Sequence, residues 1–297
     1  DIAKTIATFC GIGEHFNMPI VLDTDDNIEG VRPYNPGYQG YHPGSEPLLW
    51  GKLVPTKVDA ITVTTDNLKE LHKKDCKDVF VLPNSLDVEW RSQFKAKPHP
   101  GKIHMAFLGS AAHYENLKLI ERPVVEILKK HPNVVFHTMA MYGNSLWSGL
   151  PKEIDERIVR VAWSQLRQWP KTIAEIGIDI GLAPAADNLF NRAKSNLRYL
   201  EYSMNKTAVI ASPVEAYKCI KHGKTGLFAR EEWDWFEAMD KLILDEKLRK
   251  RLGENSYKDV IKNYNMKKNA HLWVDTLDKI VRKYKKEKGE KKFFNIT

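Results

Sequence analysis

Short apolar runs alternate with amphipathic stretches along this chain, and their order is that of an α/β protein. Residues 2–16 read as a helix and lead directly into Pro19-Ile20-Val21-Leu22-Asp23, an apolar run that ends in acids and reads as a strand. Ala60-Ile61-Thr62-Val63-Thr64 reads as a second strand, 66–74 as a helix, and Val79-Phe80-Val81-Leu82 as a third strand that ends at Pro83-Asn84. The stretch 95–102, with Pro98, Pro100 and Gly101, reads as a boundary, and the pattern then restarts. Ile103 opens a buried strand that ends in the small-residue turn Gly109-Ser110; a helix over 116–130 and the strand Val134-Val135-Phe136-His137 complete a βαβ unit. Residues 163–169 read as a loop and helix with apolar anchors, 178–184 and Ala208-Val209-Ile210-Ala211 as further core strands, and 233–284 as mainly helical.

The 297 residues lie near the size at which single cores split, which fits two domains. The divisions expected are a first Rossmann-like domain over 1–97, a second over 98–270, and a C-terminal helix with a basic tail over 271–297. A Rossmann-like domain ordinarily opens on a strand, and here a helix comes first, so the first domain is expected to be shortened or completed by another chain, or by a second copy of this one. With 42% hydrophobic and 28% charged residues the composition is that of a globular protein. No run approaches the ~20 apolar residues of a membrane span and no signal peptide is visible, so the chain is expected in the cytoplasm. Cys10, Cys76 and Cys219 form no C-x-x-C pair and are expected to be reduced.

The net charge of +8 (46 Lys and Arg against 38 Asp and Glu) is concentrated near the end, over 282–292. A solvated terminus is the plain reading of that tail; peripheral contact with anionic lipid is the other, helped by Phe293 and Phe294. The remaining lysines are scattered and no nucleic-acid recognition motif appears, so nucleic acid is not an expected partner.

The most informative stretch runs from Asp187 to Ser212. It joins a cationic loop to a helix carrying one acid and then to a short buried strand, which is how an α/β protein builds a pocket for an anion. Arg192 and Lys194, next to Ser195 and Asn196, would meet a phosphate at the helix start with positive side chains, a hydroxyl and unpaired N–H groups. Glu201 lies seven residues beyond Lys194, a rise of roughly 10 Å in a continuous helix, about the span from a diphosphate to the ribose hydroxyls of the same nucleotide. Gly109 permits close backbone approach, Ser110 offers a hydroxyl, and His113 offers charge or a position beside a reacting sugar.

Phe190, Asn191, Lys194, Ser195, Leu200, Glu201 and Tyr202, followed by Ala211-Ser212 and Gly223-Lys224-Thr225-Gly226-Leu227, resemble the donor-binding core of GT-B glycosyltransferases, especially the family 4-like bacterial enzymes that build surface polysaccharides. Leu82-Pro83-Asn84 resembles the end of their first domain. The resemblance implies two Rossmann-like domains facing a cleft, transfer of a sugar from a nucleotide diphosphate to a glycan or lipid-linked acceptor, no cofactor and no metal. It places the ribose on Glu201 and the diphosphate on Lys194, and it puts Asp187, Asn191, Ser195 and Asn196 in the donor loop. The family's form of the motif has a second glutamate eight positions earlier, where this chain has Ala193. The family is retaining, and the absent acid weakens the transfer of that stereochemistry.

Asp23-Thr24-Asp25 also matches the short Asp-x-Asp signature that holds a metal in the other large glycosyltransferase fold. In the GT-B reading, Asp25 or Asp26 would instead serve the incoming hydroxyl as base or hydrogen-bond acceptor. The Gly-, Pro- and Tyr-rich stretch that follows, with Tyr34, Tyr38, Tyr41 and His42, reads as a loop on the acceptor side together with Asp23. A catalytically inactive relative that binds a sugar nucleotide or a partner enzyme, and another GT-B-like enzyme such as an epimerase or phosphorylase, are the remaining readings.

Overall fold

A computed structural model describes residues 2–139 and 146–289. The first half holds a sheet of three parallel strands, β1 (Val21–Thr24), β2 (Ala60–Val63) and β3 (Val79–Val81), in the order β1-β2-β3. The second half holds six: β4 (Ile103–Phe107), β5 (Val134–Met139), β6 (Ile158–Val161), β7 (Ile180–Ala183), β8 (Ala208–Ala211) and β9 (Leu227–Phe228). All are parallel and their order is β6-β5-β4-β7-β8-β9. Counted from β4 this is the doubly wound order 3-2-1-4-5-6, whose strand order reverses between β4 and β7; ligands of such sheets bind beyond the strand ends at that point.

Local chemistry explains most departures from the expected elements. The helix expected over 116–130 is two pieces, Tyr114–Lys118 and Glu121–Lys130, because Pro123 has no N–H to continue a helix and sits instead in the first turn of the second. The helix Trp169–Ile176 ends at Gly177, which has φ 62°; a Cβ there would lie 1.9 Å from the Lys97 carbonyl oxygen, so only glycine lets the 95–102 connection pass so close. The helix expected after the cationic loop is also broken. Leu189–Ala193 forms a short helix capped by Asn188, Lys194 turns to extended backbone, and Leu197–Met204 begins afresh. Arg192 therefore lies in one helix and Glu201 in another, and the continuous 10 Å rise from Lys194 to Glu201 does not occur.

The main core spans β4–β9 and their helices and includes the fully buried Phe107, Phe136, Tyr199, Tyr202 and Trp235. A small second core gathers Ile61, Val63, Leu68, Cys76 and Val79 under the first sheet, and its sixth member is Ala193 from the second half. The C-terminal helix Met266–Lys288 crosses back onto the first half: Lys283 pairs with Asp78, Lys279 lies over the Phe80 ring at 5.3 Å, and Asn269 donates to Ser85 Oγ at 3.0 Å. Among the described residues no helix is long and apolar enough to cross a membrane. The far end of the basic tail, with Lys291, Lys292, Phe293 and Phe294, lies outside the described residues.

Candidate functional site

A cleft of about 380 Å³ opens between the two sheets. Asp25, Asp26 and Asn84 line it from the first half; the turns after β4 (Leu108, Gly109, Ser110) and β7 (Pro184, Ala185) line it from the second, at the reversal of strand order.

The helix Leu197–Met204 is held to the floor of this cleft by Tyr202. Its buried hydroxyl accepts from the Leu108 N–H (3.1 Å) and donates to the Ala106 carbonyl (3.2 Å), while its ring fills the space a side chain on Gly181 would occupy, 2.4 Å from an added Cβ. Burial pushes the Tyr202 hydroxyl well above its ordinary ionisation range, so it stays neutral and keeps both bonds. With Tyr202 facing the sheet, Arg198 and Glu201, three residues apart on one helical face, line the cleft.

Glu201 is largely buried and its Oε1 lies 3.3 Å from Arg91 Nη2, from the short helix Val88–Arg91. Arg198 is placed differently. Its guanidinium stacks 4.2 Å over the Phe107 ring beside Gly109, where an added Cβ would come within 2.5 Å of Nη2, and among the described residues no carboxylate lies within 4 Å of it. The cleft thus carries a guanidinium that no carboxylate among the described residues pairs with.

Lys194 reaches across the cleft: its Nζ lies 2.6 Å from Asp26 Oδ1 and 4.3 Å from the Phe190 ring centroid. Ser195 Oγ accepts from Asn84 Nδ2 at 2.8 Å, which ties the loop to the Pro83-Asn84 end of the first half. Three further anchors complete the docking. Asn27, Asn67 and Thr65 donate to the carbonyls of Leu189 (3.2 Å), Arg192 (2.5 Å) and Ala193 (3.0 Å).

His113 sits between these groups. Burial, and then the charges of Arg198 and Lys194, hold its pKa well below the ordinary histidine value, so the ring is neutral. Asn116 Nδ2 lies 2.9 Å from His113 Nδ1, which makes that nitrogen the acceptor and leaves the ring proton on Nε2. Asn116 also shares a buried amide network with Asn191, whose Nδ2 donates to Asn116 Oδ1 (2.7 Å) and to the Ala186 carbonyl (2.8 Å). Trp163 and Leu166, both largely exposed, add apolar surface to the lining of the same cleft.

Nine of the residues singled out in the sequence therefore meet in one cleft: Asp25, Asp26, Gly109, Ser110, His113, Asn191, Lys194, Ser195 and Glu201. The others lie elsewhere. Arg192 is exposed and turned away from the cleft to pair with Asp187 at 2.6 and 3.0 Å, so the two do not join Lys194. Asn196 donates to Cys219 Sγ at 3.3 Å, and Asp23 accepts from Thr62 Oγ1 on the neighbouring strand at 2.7 Å. Tyr34 hydrogen-bonds Glu115 of the second half, and burial together with that carboxylate raises its pKa. Tyr38 and Tyr41 belong to a short helix, Tyr38–Tyr41, with the His42 ring 6.3 Å from Tyr38; none of the four lines the cleft. Arg198, Asn116 and Trp163 also line the cleft and Arg91 pairs with Glu201 there, although none of the four is a site residue by sequence pattern. For Arg198 the signal was present in its i, i+3 spacing to Glu201; for Arg91, paired across 110 residues, there was none.

Comparison with protein-family models and with curated proteins finds no match. Solved structures do match. Anabaena HepE in complex with UDP and glucose is 11% identical at a TM-score of 0.67, over 93% of this chain and 75% of that one. Sucrose-phosphate synthase from Thermosynechococcus elongatus is 16% identical at 0.65, over 92% and 70%. TarM, a Staphylococcus aureus protein, is 12% identical at 0.64, over 89% of this chain; the chain spans about half of TarM's length, 51%. The likeness is one of fold, and that fold is GT-B: two Rossmann-like domains with parallel sheets facing a cleft.

Proposed function

We propose that this protein is a glycosyltransferase of the hexosyltransferase type that moves a sugar from a nucleoside diphosphate to a glycan or lipid-linked acceptor without a metal. The observation that carries the reading is the Arg198 guanidinium beside Gly109, with no carboxylate partner among the described residues and with Lys194 on the same wall. Two fixed cations in a partly dry cleft stabilise the charge that builds on a leaving diphosphate, which is the task a metal performs in other folds. Glu201, held by Arg91, accepts hydrogen bonds from the ribose. Trp163 and Leu166 give a nucleobase an apolar face, and the UDP and glucose bound in HepE support a uridine nucleotide as the first to try.

In the transfer, the acceptor oxygen forms a bond to the anomeric carbon while the bond from that carbon to the diphosphate oxygen breaks, its electron pair leaving with the nucleoside diphosphate. The acceptor proton ends on that diphosphate, and configuration is retained. Asp26 Oδ1 is occupied by Lys194, so Asp26 orients the hydroxyl once the diphosphate draws Lys194 away. Neutral His113, with its proton on Nε2, donates to the transferred sugar. The experiment is ³¹P NMR of UDP-glucose incubated with the protein in EDTA. Free UDP appearing without metal supports the reading, and an unchanged spectrum with UDP-, GDP-, TDP- and CMP-sugars refutes it.

A further inference from the structure

A second cavity, of about 180 Å³, lies wholly within the first half. Leu22 from β1, Ile28, Trp50, Val54, Pro55 and Leu71 form most of its wall. Asp26 lines this cavity and the donor cleft alike, so one carboxylate stands at the partition between them.

The charged and titratable groups around the cavity leave its interior apolar. Glu29 is engaged by Lys52 (3.4 Å) and Lys74 (3.9 Å) on its outer side. His72 is buried and its pKa is lowered by that burial, so it contributes a neutral ring. The cavity also has a closely packed wall. A Cβ on Gly51 would lie 1.8 Å from Ile28 Cδ1 and force that side chain to move, so the helix Glu46–Leu53 lies directly on Ile28, and Trp50 beside it lines the cavity. The same helix exposes Leu49 and Leu53, so apolar surface continues outward from the pocket.

A sugar with hydroxyls on every edge, or a phosphate, would lose its hydrogen bonds against such walls, and an apolar group would lose none. We propose that this cavity is the acceptor subsite and takes an apolar aglycone, an aryl or short alkyl group, whose attached hydroxyl-bearing part meets Asp26 at the partition. The acceptor class is then an amphiphile rather than a free sugar. This rests on the reading of the neighbouring cleft as the donor site.

The test uses phenyl β-D-glucopyranoside and glucose as probes, with UDP present, in saturation-transfer NMR on the full chain. Saturation of the phenyl protons, none on glucose, and about tenfold weaker phenyl binding in Trp50→Ala are expected. Gly51→Ala, which pushes Ile28 into the cavity, serves as the second variant and gives the same loss. UDP signals persist in both. Persistent UDP signals with no phenyl saturation, or phenyl binding unchanged in Gly51→Ala, overturn the acceptor proposal alone; loss of UDP signals from the wild-type protein overturns the donor reading on which it rests.

Discussion

Lys194 Nζ and Asp26 Oδ1 meet at 2.6 Å across the cleft, joining the two sheets by a contact between groups 168 residues apart. The proposed function gives each of these groups a second use: the ammonium for an anion from the donor side, the carboxylate for a hydroxyl from the other. In the proposed reading an arriving diphosphate competes with Asp26 for the lysine, so that filling the cleft would release the group that orients the acceptor.

Asp26→Asn separates the two roles. The variant frees Lys194 of its carboxylate, so UDP binds as tightly as before or more tightly, while transfer falls about tenfold because a neutral amide oxygen holds the hydroxyl less firmly than a carboxylate does. Titration calorimetry and a product assay read the two effects; weaker UDP binding would contradict this account of the pair.

Lys194→Ala and Arg198→Ala each remove one cation from the diphosphate, and each lowers the transfer rate on the order of a hundredfold. Gly109→Ala reaches the same end indirectly, since its Cβ would stand 2.5 Å from Arg198 Nη2 and displace the guanidinium. A Gly109→Ala enzyme with wild-type UDP affinity would show that the position of Arg198 does not matter.

Arg91→Ala leaves Glu201 largely buried without its counter-ion. Removing one partner of such a pair is expected to destabilise the protein by roughly 3 kcal/mol. The double variant Arg91→Met with Glu201→Gln restores most of that stability in urea denaturation, whereas equal loss in single and double variants would place the cost elsewhere.

The clustered histidines make stability pH-dependent. His104 lies 3.8 Å from the His99 ring centroid and 4.8 Å from that of His137; burial, with the neighbouring rings adding to it, lowers the pKa of His137 to about 4, and burial likewise lowers that of His104. A base depressed in the folded state is protonated first in the unfolded chain, whose histidine titrates near 6.5. The stability from a neutral His137 is therefore complete above about pH 6.5 and is lost as pH falls toward 4, by roughly 3 kcal/mol at the lower end. Urea melts at pH 7.5 and 5.0 measure the slope, and His137→Phe flattens it.

Seven of the nine strands were legible because each is a short apolar run, and the cationic loop because cations, a hydroxyl and an acid fall within 15 residues of one another; β6, with two exposed residues, and β9, two residues long, carried no such signal. What escaped notice depended on where side chains turn. Arg192 and Lys194 are two residues apart, yet the break at Lys194 sends one to Asp187 at the surface and the other to Asp26 in the cleft. Arg91 and Asn84 act on Glu201 and Ser195 only once the halves are docked, and no local pattern announces that. Tyr34, Tyr38, Tyr41 and His42 read as a binding loop from their density alone, although Tyr34 instead ties the halves together through Glu115.

Titration calorimetry of UDP in EDTA against the wild-type protein and Arg198→Ala tests the central claim most directly. Metal-free binding that weakens about a hundredfold in the variant is predicted, since one charged contact to a diphosphate accounts for roughly 3 kcal/mol. No heat with UDP, GDP, TDP or CMP, or equal affinity in both proteins, would contradict it.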